Sequence, residues 1–143
     1  MLNPAVVVGV WRHRSLVATE IATGQRTSIF GEQPSGLIIF TAGGHVNMLM
    51  TEHSRRPAIG ATPTDAEANY LLGSMAAFSG TYRLDGNLLI IHMDASWSEA
   101  WTGTEHKRTY AITDDVLTWK SQPLMSPTLG KKVVLEGTHI RAE

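Results

Sequence analysis

This sequence predicts an all-β fold with one helix, closed as an eight-stranded antiparallel β-barrel. Three observations carry the expectation. Short β-rich runs recur along the chain, tight-turn signals separate them at Gly43-Gly44, Asp85-Gly86 and Asp114-Asp115, and only one segment opens with a helix cap. Closure removes the exposed edges that a small open sheet would leave, which favours a barrel over a sandwich. Eight strands is also about the size at which a barrel interior holds one small ligand. A chain of 143 residues is long enough to close one core, so residues 1–143 are expected to form a single domain.

The elements follow in order. Gly9 to Thr19 alternates as a first strand, with Trp11, His13, Ser15 and Val17 on one face. Gly24 suits a turn before Arg26 to Ile29, and Phe30 to Gly36 is dense in turn formers. Leu37 to Thr41, the turn at Ala42-Gly43-Gly44, and His45 to Thr51 make a hairpin. Thr64-Asp65-Ala66-Glu67 has the form of a capping box, so a helix is expected over Asp65 to Ala77, with Ala66, Tyr70 and Ser74 on one stripe. Gly73 inside it costs roughly 1 kcal/mol against alanine. Thr81 to Leu84 and Leu88 to Ala95 flank Asp85-Gly86-Asn87 as a second hairpin. Thr104 to Ile112 and Val116 to Ser121 make a third around Asp114-Asp115, and Lys132 to Ile140 closes the chain.

Composition excludes several function classes. A net charge of -1, with Arg55-Arg56 and Lys131-Lys132 as isolated basic pairs, lacks the basic patch that nucleic-acid binding needs. The chain has no cysteine, which excludes disulfides, thiolate nucleophiles and zinc–thiolate sites. The apolar N-terminus, Pro4 to Val10, has neither a basic flank nor a cleavage pattern and reads as the lead-in to a strand. No apolar run approaches the roughly 20 residues that span a bilayer. The expectation is a cytoplasmic monomer or homodimer with a small-molecule partner, no nucleic acid, no membrane, no metal and no cofactor.

Titratable residues inside β-rich runs are the candidates for chemistry. His92 interrupts Leu88-Leu89-Ile90-Ile91 and Met93, and burying a polar group without a partner costs about 1–3 kcal/mol. His106, Arg108 and Tyr110 recur at period two on the following strand, and if that face is inward Arg108 would stand beside His92 in a low-dielectric interior. The alternative is a structural network in which Arg108 pairs with Glu105 or Asp94. Ser96, His92 and Asp94 include the residue types of a hydrolytic triad but lack the tight turn that exposes a nucleophile. The histidines lack a metal-binding spacing, and the glycine pairs sit in hairpins rather than before a helix. Met48, Met50, Met75 and Met93 read as filler of the interior.

The order Gly9-x-Trp11, Phe30-Gly31-x-x-Pro34-x-Gly36, Phe40-Thr41-x-x-Gly44, Ser79-Gly80-Thr81-Tyr82, His92, Trp101-x-Gly103-Thr104-Glu105 and Arg108 resembles the lipocalin-like domain family. The resemblance runs from Gly9 to Trp119. It implies a calycin-type eight-stranded barrel with an internal cavity, in which Trp11 plugs the closed end. Two departures stand out: His13 occupies a position usually aliphatic in the family, and Val133 to Thr138 lacks an aromatic near its centre.

Two function classes remain, with a purely structural or interaction role third. In the first, the barrel binds a small hydrophobic or aromatic molecule, including carboxylic acids, against Phe40, Met48, Tyr82, Met93, Trp97, Trp101 and His13. In the second it is a cofactor-independent isomerase, cyclase or lyase. There His92 acts as general acid or base beside His106, and Arg108 stabilises an anion.

Overall fold

Residues 6–143 are described by a computed structural model. Among them ten strands form one antiparallel sheet: β1 (Gly9–Glu20), β2 (Arg26–Ser28), β3 (Ser35–Phe40), β4 (His45–Thr51), β5 (Met75–Asp85), β6 (Leu88–Ser96), β7 (Glu105–Thr113), β8 (Val116–Ser121), β9 (Leu124–Met125) and β10 (Lys132–Arg141). The helix α1 (Asp65–Gly73) lies between β4 and β5. Eight strands close the barrel in the order β1-β3-β4-β5-β6-β7-β8-β10, and β10 returns to β1 from Trp11↔Arg141 to Glu20↔Val133. The short β2 takes over from β3 beside Val17 to Thr19, and β9 takes over from β8 beside Lys132-Val133. The Pro4 end of the apolar N-terminal run lies outside the described residues.

Local chemistry explains the hairpins. Asp114 and Asp115 both adopt left-handed backbone (φ 51 and 61) between the paired residues Thr113 and Val116. Two left-handed residues in succession give a turn whose twist matches that of the strands it joins, and aspartate tolerates that region better than most residues.

The helix is shorter than the sequence suggests. Its capping box is present, with the Thr64 hydroxyl accepting the Glu67 N–H and the Glu67 carboxylate accepting the Thr64 N–H. It ends at Gly73, however, and Met75 to Ala77, expected as its last turn, begins β5. Every residue from Met75 to Thr81 pairs with β4, which buries Ala76 and Phe78; tertiary pairing overrides the helix propensity of Met75-Ala76-Ala77. The helix itself buries no residue and is held by polar contacts such as Arg55 Nη2 to Leu71 O at 2.6 Å.

A bulge decides which face of β1 is inside. The register against β10 slips between His13 and Ser15. Trp11 and His13 therefore point inward, but beyond the slip Leu16 and Ala18 are buried in place of the Ser15 and Val17 expected from strict alternation. The expected strand Arg26 to Ile29 stops at Ser28, which frees Ile29 and the buried Phe30 to turn toward the barrel axis. At one end, fully buried Trp11 donates its indole N–H to Val7 O at 2.9 Å and closes the floor.

Candidate functional site

Antiparallel order puts the long connections, β1–β3, β4–β5, β6–β7 and β8–β10, at the end of the barrel opposite Trp11. A pocket opens there, with about 520 Å³ of empty space counting the part open to solvent. Ile29 and Phe30 from the first connection, Trp97 and Trp101 from the third, and Ser126 to Thr128 from the fourth form its rim. Leu16, Met48, Ala76, Phe78, Arg108, Trp119 and Leu135 form its wall. Trp97 and Trp101 meet edge to face, their ring centres 5.2 Å apart.

Arg108 is the charged member of this wall. Alternation along β7 turns His106, Arg108 and Tyr110 inward, and Leu89↔Arg108 and Ile91↔His106 are the cross-strand pairs beneath them. The guanidinium lies 3.9 Å from the centre of the Trp119 ring and 5.8 Å from that of Phe78. Only 5% of the residue is exposed, yet among the described residues it has neither a hydrogen bond nor an ion pair. The network with Glu105 or Asp94 does not form: Glu105 bonds Arg83 at 3.1 Å, and Asp94 lies beside His92. Burial pulls the arginine down from its ordinary value to about 10, which still leaves it charged at neutral pH.

His92 corrects the expectation of an inward histidine. It pairs with Glu105 on the outer face, with 45% of its side chain exposed and its Nε2 3.6 Å from Asp94 Oδ1. Its neighbours Leu89, Ile91 and Met93 hold the inward positions, so alternation leaves His92 outside. His92 and Arg108 thus stand on opposite faces of the wall, and the acid–base pair expected of an isomerase, cyclase or lyase is not assembled.

His106 sits higher on the inward face of β7, its ring centre 4.3 Å from that of Trp101. The Thr104 hydroxyl donates to Trp101 O at 2.6 Å, so toward His106 Nε2, at 2.9 Å, it accepts. That assigns the proton to Nε2 and leaves Nδ1 as a lone pair. Burial, reinforced by the charge of Arg108, lowers this histidine to about 4.

Below the pocket runs a buried chain of hydrogen bonds that sequence reasoning missed. The Trp119 indole N–H donates to His139 Nε2 at 2.7 Å, His139 Nδ1 meets His13 Nδ1 at 3.1 Å, and His13 Nε2 meets Leu49 O at 2.7 Å. An indole only donates and a carbonyl only accepts, so both tautomers are determined: His139 carries its proton on Nδ1 and His13 on Nε2. Both rings are neutral. Burial lowers His13, opposed by its bond to Leu49, and lowers His139 to about 3 with help from His13 and Arg108. The signal for His139 was its place in the inward row Val133, Leu135, Gly137, His139. Gly137 also accounts for the missing aromatic of the closing strand, because the Trp119 ring fills the space where its side chain would be.

The remaining predicted residues divide. Met48, Trp97 and Trp101 line the pocket. Phe40 and Met93 are buried in the core outside its lining, and His13 is committed to the buried chain. Tyr82 lies toward the closed end, packed edge to face on Phe40, with its hydroxyl donating to Thr41 O at 2.7 Å.

Comparison with known families matches residues 8–136 to the lipocalin-like domain. The chain belongs to that family. Among solved structures, this lipocalin-like domain is similar to a lipocalin-like protein from Bacteroides uniformis, with 11% identity, a TM-score of 0.49, and 94% of this chain and 97% of that one covered. An uncharacterized protein from Bacteroides eggerthii is similar at 15% identity and a TM-score of 0.43, covering 92% of this chain and 98% of that one. No curated protein matches.

Proposed function

We propose that this lipocalin-like barrel binds a small hydrophobic or aromatic molecule, taken up through the end that carries the long connections. The observation that carries the reading is the pocket itself. Its rim and wall are built from Ile29, Phe30, Met48, Phe78, Trp97, Trp101 and Trp119, and Trp11 shuts the opposite end of the barrel. Small-molecule sites are commonly concave, mainly apolar spaces with a few polar groups, and mouths of β-barrels are a frequent location. The cavity space inside it is about 50 Å³, so an occupant of this class also fills the solvent-open mouth.

Trp97, Trp101 and Trp119 border the pocket and report on its occupancy. Titration of their fluorescence with methyl octanoate and with octanoate is expected to give saturable changes with at least one ligand at roughly micromolar affinity, about 8 kcal/mol. Absence of saturable binding by either would refute the proposal.

A further inference from the structure

We propose that the molecule this pocket is built for is a monoanion, a carboxylate with an apolar body, whose acid group lies against the guanidinium edge of Arg108. The inference rests on the binding reading above and adds the charge of the occupant.

Two arginines stack on tryptophans in this barrel, and they differ in one respect. Arg141, over Trp11 at 4.2 Å, is fully engaged: Nε donates to Asp115 Oδ1, Nη1 to Val8 O and Nη2 to Val6 O, each at 2.9 Å. Arg108 has the same aromatic support and none of those bonds among the described residues. A cation–π contact offsets only part of the desolvation of a buried cation, which is ordinarily completed by a carboxylate.

Among the described residues the interior provides no such carboxylate. The buried polar and charged residues are His13, Ser74, Arg108, Ser121, Ser126 and His139, none of them acidic. His13 and His139 are kept neutral by burial and cannot balance a positive charge. Tyr110, next along the inward row of β7, adds a buried hydroxyl without a partner among the described residues.

Stacking leaves the in-plane edge of the guanidinium as its donor surface, a rigid fork that fits the two oxygens of a carboxylate. One uncompensated cation matches one negative charge. The apolar side chains above it, Met48, Phe78 and Trp97, select an apolar body rather than a free inorganic anion.

The test compares octanoate with methyl octanoate at about neutral pH, on the wild type and on Arg108→Met and Arg108→Lys. Octanoate is expected to bind the wild type at least about tenfold tighter than the ester. Arg108→Met should bring the acid-to-ester affinity ratio down to about one, whatever it does to binding of the ester itself, and Arg108→Lys should keep part of the preference. Equal affinity of acid and ester for the wild type overturns the anion proposal and leaves the binding reading standing; that comparison needs no variant to fold. An acid preference that survives in Arg108→Met also overturns it. Binding of neither ligand overturns both.

Discussion

Acidification should weaken this fold through the histidine chain, and replacing His139 isolates its share. In the folded protein His139 is held at about 3, against 6.5 for an ordinary histidine. As the pH falls below 6.5, the unfolded chain takes up a proton that folded His139 refuses. Its stability contribution is therefore complete above that value and is lost progressively as the pH falls toward about 3. By about pH 5, one and a half pH steps below the ordinary value, the loss from this one residue is about 2 kcal/mol. His13 acts in the same direction, and less deeply buried His106 adds a smaller share. Urea unfolding followed by tryptophan fluorescence at about pH 7 and about pH 5 measures the sum. His139→Gln offers an acceptor to Trp119 but does not titrate, so its loss between the two pH values should be smaller than that of the wild type by about 2 kcal/mol. An identical loss in variant and wild type, or a wild type equally stable at both pH values, would refute the assignment of a neutral, buried His139.

Two further substitutions probe the walls of the barrel. Gly137→Ala puts a methyl group where the Trp119 ring already lies, a ring also held by His139 and covered by Arg108. Overpacking of this kind should destabilise the protein by about 1–3 kcal/mol, and near-ultraviolet circular dichroism and thermal melting will show whether Trp119 has been displaced. His92→Ala, on the outer face, should change stability by less than about 0.5 kcal/mol and leave octanoate affinity at the wild-type value; calorimetric titration that showed lost binding would contradict the outward placement.

What the sequence determined by itself was local. Asp85-Gly86, Asp114-Asp115 and Gly43-Gly44 dictate tight reversals because few residues tolerate the backbone angles such turns require, and tight reversals place successive strands side by side. Thr64 and Glu67 specify a helix start within four residues for the same reason: both partners of the cap lie in one short stretch. The tertiary structure decided whatever depended on distant chain. Met75 to Ala77 became strand because β4 was there to pair with it. His92 lies in a run with apolar residues on both alternating faces, so period two could not say which face was inside until closure put Leu89 and Ile91 there. The His13–His139 bond joins residues 126 positions apart, and it exists because β10 folds back on β1. Arg108 was legible as inward from the period of β7, but its want of a partner was not. That emerged only once Glu105 had turned to Arg83 and Asp94 had remained on the outer face, leaving Arg108 in an interior where none of the described residues buries a carboxylate.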